Sequence, residues 1–250
     1  MSADLLALAE SVAREAGALL LERFGGPATG ISSKSSRTDL VSDADRAAEG
    51  LIVERIRRAR PGDAILAEEG GGGEGASGVR WLVDPLDGTI NYLWGIPQWS
   101  VSVAAVDEDG PVVGVVHDPG RGETFTARRG EGAHLGDRRL RMEAGPALDQ
   151  ALVATGFSYR AERRAVQARL LTRVLPAVRD VRRFGSAAID LAWLAAGRVD
   201  GYYETGLNPW DWAAGGLLVR EAGGVVVQPA EDSLVAAAPG LIEPLLALVT

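Results

Sequence analysis

The sequence predicts an α+β chain, and three observations carry that prediction. The first residues repeat apolar side chains at helical spacing, residues Trp99 to Arg129 alternate as strands, and beyond Leu148 strands and helices take turns. At 250 residues the chain can form one large domain or two closely packed lobes. The pattern changes around Glu143 to Leu148. This divides an N-terminal α+β lobe, residues 1–145, from a C-terminal α/β lobe, residues 146–250.

Ser2 to Phe24 places Leu5, Leu8, Ala9, Val12, Ala16, Leu19 and Leu20 on one helical face and stops at Gly25-Gly26-Pro27. The polar stretch Ala28 to Arg37 holds Lys34, the only lysine. Ser42 with Asp45 three residues on has the form of a capping box, so a helix starts there. It runs through Leu51, Ile52 and Ile56 to Pro61-Gly62, with Asp43 and Asp45 in its first turn, where a carboxylate favours the helix dipole. Ala64 to Ala67 is a short strand that delivers Glu68-Glu69 into a glycine run. Trp81-Leu82-Val83-Asp84 is a second strand. Pro85 is expected to end it at Asp84, Gly88 to allow a tight bend, and Thr89 to cap a short helix. Asp84 and Asp87 then crowd at one strand end, an arrangement that is unfavourable without a cation. If the two strands are neighbours, Glu68 converges with them.

From Trp99 onward Asp107-Glu108-Asp109-Gly110 and Asp118-Pro119-Gly120 mark the turns between strands. Ala151 to Thr155 is a strand, and Arg160 to Val178 a helix whose arginines form a solvated face. Val181 to Phe184 is a strand, and Gly185-Ser186-Ala187-Ala188 opens an apolar helix whose N-terminus suits a phosphate or a sugar. A strand from Val199 to Glu204 precedes Asn208-Pro209-Trp210-Asp211 at another helix start, where Asp211 can act as an N-terminal cap. Val225 to Val227 is a strand and Pro239 to Val249 a closing helix.

Composition narrows the chemistry. Zero cysteines exclude disulfides, thiolate catalysis and Cys-bound metals. With His117 and His134 the only histidines, an all-protein metal site must be mostly oxygen, which favours Mg²⁺, Mn²⁺ or Ca²⁺ over zinc. The net charge of −8 argues against a nucleic-acid surface, although bound metals can still recruit a phosphate. No apolar run is long enough to span a bilayer, and the first ten residues lack a basic secretory leader, so a cytoplasmic protein is expected.

Asp84-Pro85-Leu86-Asp87-Gly88-Thr89 and the stretch from Trp210-Asp211 to Gly223-Gly224 resemble the two signatures of the inositol monophosphatase family. Asp39-Leu40-Val41 with Asp45, Glu68-Glu69 and Gly185-Ser186-Ala187-Ala188 match in the same order, so the resemblance covers nearly the whole chain. It implies a layered αβαβα sandwich, shared with fructose-1,6-bisphosphatase. It implies a Mg²⁺-dependent phosphomonoesterase with two or three ions, Mn²⁺ being a possible substitute.

One ion would be held by Glu68, Asp84 and the Leu86 carbonyl, and a second by Asp84, Asp87 and Asp211. A third would lean on Glu68. Thr89 and Asp45 would orient the attacking water together with Glu68. Gly185, Ser186, Ala187 and Glu204 would contact the substrate's alcohol portion, with Asp87, Gly88, Thr89 and Asp211 lining the same site. Lys34 would sit on a mobile loop near the metals.

The resemblance further implies a small phosphorylated substrate, with inositol 1-phosphate foremost, a homodimer and lithium sensitivity. Histidinol phosphate, fructose 1,6-bisphosphate and adenosine 3′,5′-bisphosphate are the alternative substrates. The absence of lysine after Thr89 weighs against the last of these. A metal-binding regulatory protein on the same scaffold is the non-enzymatic alternative.

Overall fold

The computed structural model describes residues 2–34 and 37–250, so part of the polar stretch Ala28 to Arg37 lies outside the described residues. Helix α1 (Ser2–Arg23) leads to a hairpin of β1 (Ser32–Ser33) and β2 (Leu40–Val41), then α2 (Asp43–Ala59). Strands β3 (Ala64–Ala67) and β4 (Arg80–Asp87), helix α3 (Thr89–Leu93) and strands β5 (Ser100–Asp107), β6 (Gly110–Asp118), β7 (Glu123–Arg128), β8 (Gly132–Leu135) and β9 (Arg138–Leu140) follow. A 3₁₀ turn at Leu148–Gln150 precedes β10 (Leu152–Thr155), α4 (Ala161–Val174), β11 (Asp180–Arg182) and α5 (Ala187–Ala195). The chain closes with β12 (Gly201–Thr205), α6 (Pro209–Glu221), β13 (Val225–Val227), β14 (Ser233–Ala237) and α7 (Ile242–Val249).

Two sheets and three helical layers alternate. The larger sheet has the order β3-β4-β5-β6-β7-β8-β9, and the smaller β11-β10-β12-β14-β13. Side-chain alternation assigns the faces. Trp81, Val83, Val101, Val103 and Val115 pack on α1 and α2, while Leu82, Ala104, Val116 and Phe125 pack on α5 and α6. The same two helices meet Ala154, Tyr202, Leu234 and Ala236 of the smaller sheet. Val153, Tyr203, Val235 and Ala237 on its far side pack with residues of α7 and with Val174 of α4. The result is the αβαβα sandwich.

Small residues make the middle layer possible. A Cβ on Gly114 of β6 would lie 2.8 Å from the Ala214 Cα of α6, and one on Gly215 would lie 2.6 Å from the Leu191 Cβ of α5. Both glycines are therefore sites of close backbone approach.

Several local expectations change. Strand β4 does not stop at Asp84 but continues to Asp87. Asp84 pairs with Ser102 and Asp87 with Ser100, so the register shifts between them. Pro85 sits in that irregularity, where its missing N–H costs no ladder bond, and the Leu86 N–H is satisfied by Asp84 Oδ1 at 3.1 Å. Thr89 does not cap α3; Gly88 does, at φ 96°. Helix α4 ends at Val174 instead of Val178, because Pro176 has no N–H to continue the ladder. Strand β11 stops at Arg182, short of Phe184. Strands β8, β9 and β14, which the sequence reading did not pick out, also join the two sheets.

Candidate active site

Strand register, not sequence proximity, assembles the acidic cluster. Strands β3 and β4 are parallel, with Ala67 opposite Val83. The next residues, Glu68 and Asp84, therefore emerge side by side, and the Glu68 N–H donates to Val83 O at 3.1 Å. On the other side of β4, Asp84 is in register with Ser102, whose hydroxyl donates to Trp210 O at 3.2 Å. That bond seats the first turn of α6 beside β4 and brings Asp211 to Asp84. Asp87 lies at the N-terminus of α5, where its Oδ2 accepts from Ser186 Oγ at 2.5 Å and Ala188 N at 2.8 Å. A helix N-terminus is a natural seat for an anion.

Glu68, Asp84, Asp87 and Asp211 line one cleft of about 240 Å³ with Leu86, Gly88, Thr89, Gly185, Ser186, Ala187 and Glu204. Burial pushes the Asp84 carboxyl well above the usual carboxylate range, and the charges of Glu68, Asp87 and Asp211 push the same way. Burial likewise raises Asp87 to about 6, against the donors Ser186 and Ala188. Burial lifts Asp211 well above its ordinary value too, against the Asn208 N–H, with Glu68 and Asp87 adding to the rise. Buried carboxylates that raise one another are short of positive charge.

That donor set fits hard divalent cations, which take oxygen ligands. Among the described residues no group of three or more His, Cys, Asp or Glu side chains is gathered tightly enough to hold a metal as it stands. The reason is visible in the hydrogen bonds. One Asp87 oxygen faces Ser186, and Asp211 is not the cap of α6 but its capping-box partner: Asn208 is the N-cap, and Asp211 Oδ2 accepts the Asn208 N–H at 2.6 Å. Glu68 Oε1 accepts from Lys34 Nζ at 2.9 Å.

Lys34 is placed by the β1–β2 hairpin, its N–H bonded to Asp39 O at 2.8 Å, and its ammonium ion-pairs with both Glu68 and Glu69. Although burial works against its charge, those two carboxylates raise its pKa. The hairpin also reaches across the cleft, with Thr38 Oγ1 donating to Tyr159 O at 2.7 Å.

Thr89 and Asp45 form a buried pair. The Thr89 hydroxyl lies 2.9 Å from Asp45 Oδ1 and 3.0 Å from Leu86 O, and its single proton serves one of them at a time. The other Asp45 oxygen accepts from Ser42 N and Oγ, completing the capping box of α2. Asp45 is 1% exposed and reaches the cleft only through Thr89.

Glu204 accepts from Tyr202 Oη at 2.6 Å, and burial raises its carboxyl to about 7, with Tyr202 and Arg183 pulling it down. His117 has a structural role: it is buried, bonds Thr124 Oγ1 at 2.9 Å, and burial drives its pKa down to about 4.

Sequence reasoning passed over several cleft residues. Arg160 and Arg163, read as a solvated face, line the cleft, as do Tyr159, Arg183 and Asp190. Asp190 is 1% exposed with no partner for Oδ1. Its one sequence signal was an aspartate inside an otherwise apolar helix.

Known proteins resemble this chain in sequence and fold. The chain is 44% identical to the Escherichia coli Nus factor SuhB over 89% of its length and 84% of the relative's. It is 44% identical to the Mycobacterium leprae inositol-1-monophosphatase, covering 98% and 92%. The crystal structure of the extragenic suppressor protein SuhB from Bartonella henselae superposes with a TM-score of 0.92 at 38% identity, covering 99% and 98%. A sequence model of the inositol monophosphatase family matches residues 1–247. The chain belongs to the inositol monophosphatase family and is a phosphomonoesterase.

Proposed function

We propose that the protein hydrolyses a small phosphorylated alcohol, foremost inositol 1-phosphate, with two or three Mg²⁺ ions. The observation that supports this most is the convergence of Glu68, Asp84, Asp87 and Asp211, drawn from distant parts of the chain, on one cleft. Glu68, Asp84 and the Leu86 carbonyl would hold one ion, and Asp84, Asp87 and Asp211 another. When bound, such ions polarise the phosphoryl group and make bound water a nucleophile at neutral pH.

The chain's own groups supply the rest. As Thr89 takes a proton from an attacking water, it passes its own hydroxyl proton to Asp45 Oδ1, so the proton ends on the aspartate. Glu68, across the same cleft, steadies that water. The N-terminus of α5 keeps Asp87 ionised and oriented. Glu204, beside Gly185, Ser186 and Ala187, accepts hydrogen bonds from the departing polyol. A homodimer is part of the same reading, supported by the exposed, neighbouring Trp94 and Ile96, as is the cytoplasmic location expected from the sequence. By the same family resemblance, lithium is expected to inhibit.

The test is phosphate release with Mg²⁺ from inositol 1-phosphate, fructose 1,6-bisphosphate, histidinol phosphate and adenosine 3′,5′-bisphosphate. Asp87→Asn is expected to lose turnover with an unchanged circular dichroism spectrum. Full activity in that variant refutes the assignment.

One observation favours a second role. Between Arg160 and Arg183 eight arginines stand against only Glu162 and Asp180, on a chain of net charge −8. The E. coli relative carries the name Nus factor. This segment suits an acidic macromolecular partner, and salt-sensitive capture of such a partner by an Asp87→Asn protein would separate that role from catalysis.

A further inference from the structure

Helix α2 carries a second buried carboxylate one turn beyond Asp45. Glu49 is 4% exposed, and both of its oxygens are engaged by one loop. Its Oε2 accepts the Glu69 N–H at 2.6 Å and its Oε1 the Gly71 N–H at 2.8 Å. These amides belong to the turn that follows β3, the turn that presents Glu68. Gly71 supplies an independent sign of the same fit. A Cβ there would lie 2.6 Å from Glu49 Oε1, and Gly71 is not among the glycines with positive φ. A side chain there would therefore displace the Glu49 carboxylate rather than strain the backbone.

We propose that Glu49 is a positioning residue for Glu68. Helix α2 grips both strand ends of the site: β4 through Asp45 and Thr89, and β3 through Glu49 and the Glu69 and Gly71 amides. Because the two carboxylates are one turn apart on a rigid helix, α2 sets the spacing between Glu68 and Thr89. Without Glu49 the turn loses its acceptors. Glu68 then loses the fixed backbone that aims its carboxylate into the cleft. The catalytic meaning of this inference rests on the phosphatase reading above; the geometry does not.

The test compares Glu49→Ala, Glu49→Gln and Gly71→Ala with Val53→Ala, a truncation of a buried residue on the same helix. Mg²⁺ binding is measured by calorimetry without substrate, amide exchange is followed at Glu69 and Gly71, and kcat and KM are measured at saturating Mg²⁺. Removing a partner that orients a metal ligand costs about 10–100-fold in metal affinity. Glu49→Ala and Gly71→Ala are expected to bind Mg²⁺ at least about tenfold more weakly, with fast exchange at both amides and KM unchanged. Glu49→Gln keeps one acceptor and falls between. Val53→Ala loses stability with wild-type Mg²⁺ affinity.

Wild-type Mg²⁺ affinity in both Glu49→Ala and Gly71→Ala overturns the proposal. A wild type that binds Mg²⁺ but releases no phosphate from any ester overturns the phosphatase reading instead, while the calorimetric contrast still decides on Glu49.

Discussion

The Thr89 hydroxyl stands 2.9 Å from a carboxylate oxygen of Asp45, across 44 residues of sequence, and both side chains are buried. Asp45 closes the capping box of α2 with one oxygen and holds Thr89 with the other. One aspartate thus supports the N-terminus of α2 and, in the proposed mechanism, the reaction centre. Thr89→Ala removes only the second function. It is expected to lower kcat by about 10²–10⁴-fold, the range for losing a positioned proton acceptor, with KM little changed. Thr89→Ser should recover most of the loss. Asp45→Asn should lower kcat similarly and also destabilise by about 1 kcal/mol through the cap, read by urea titration.

Asp84 is 2% exposed and carries the repulsion of Glu68, Asp87 and Asp211. Asp84→Asn relieves that repulsion and removes a proposed ligand to both ions. The variant is expected to melt higher than the wild type in EDTA, by about 3 °C for each kcal/mol regained, and to show no turnover. A lower melting temperature in EDTA would contradict the account of the cluster as charge-strained.

Glu204 makes stability depend on pH. Burial raises its carboxyl from 4.5 to about 7, so the folded state holds a proton that the unfolded chain has already released. Its contribution is complete below about pH 4.5 and is lost as pH rises toward 7. With EDTA present, the wild type should lose more of its unfolding free energy between those pH values than Glu204→Gln, whose amide does not titrate. Parallel pH profiles for the two proteins would show that Glu204 does not couple to folding.

Gly88 caps α3 at φ 96°, and a Cβ there would lie 2.9 Å from Gln98 O and 3.2 Å from Gly185 O. Gly88→Ala therefore meets backbone on two sides and strained dihedrals as well. A loss of about 1–3 kcal/mol is expected in denaturant titration, with kcat falling because Asp87 and Thr89 flank the bend. Gly120→Ala, whose nearest contact would be at 3.5 Å, serves as the tolerant comparison.

Much of the site was legible because its parts are local. The Ser42–Asp45 capping box, the carboxylates at the ends of β3 and β4 and the bend at Gly88 each follow from residues within a few positions of one another. The continuation of β4 through Pro85 was not legible, because the irregularity that tolerates proline depends on Ser100 and Ser102 of the partner strand. Arg160 and Arg163 stay exposed, as their helix face suggested, but that they also edge the cleft was not legible, for a similar reason. A helix face looks solvated until another part of the chain is placed across from it, and here the cleft is what they meet.

From residue order alone come the alternation of helices and strands, the oxygen-rich, cysteine-free chemistry and the signature residues that mark the family, since propensity, periodicity and composition act over short distances. The tertiary structure decided which carboxylates meet. The parallel register of β3 and β4 puts Glu68 beside Asp84, the Ser102–Trp210 bond draws in Asp211, and α2 ties both strand ends together. These relationships span tens to more than a hundred residues of chain, and only the packing of sheets against helices gives them a fixed distance.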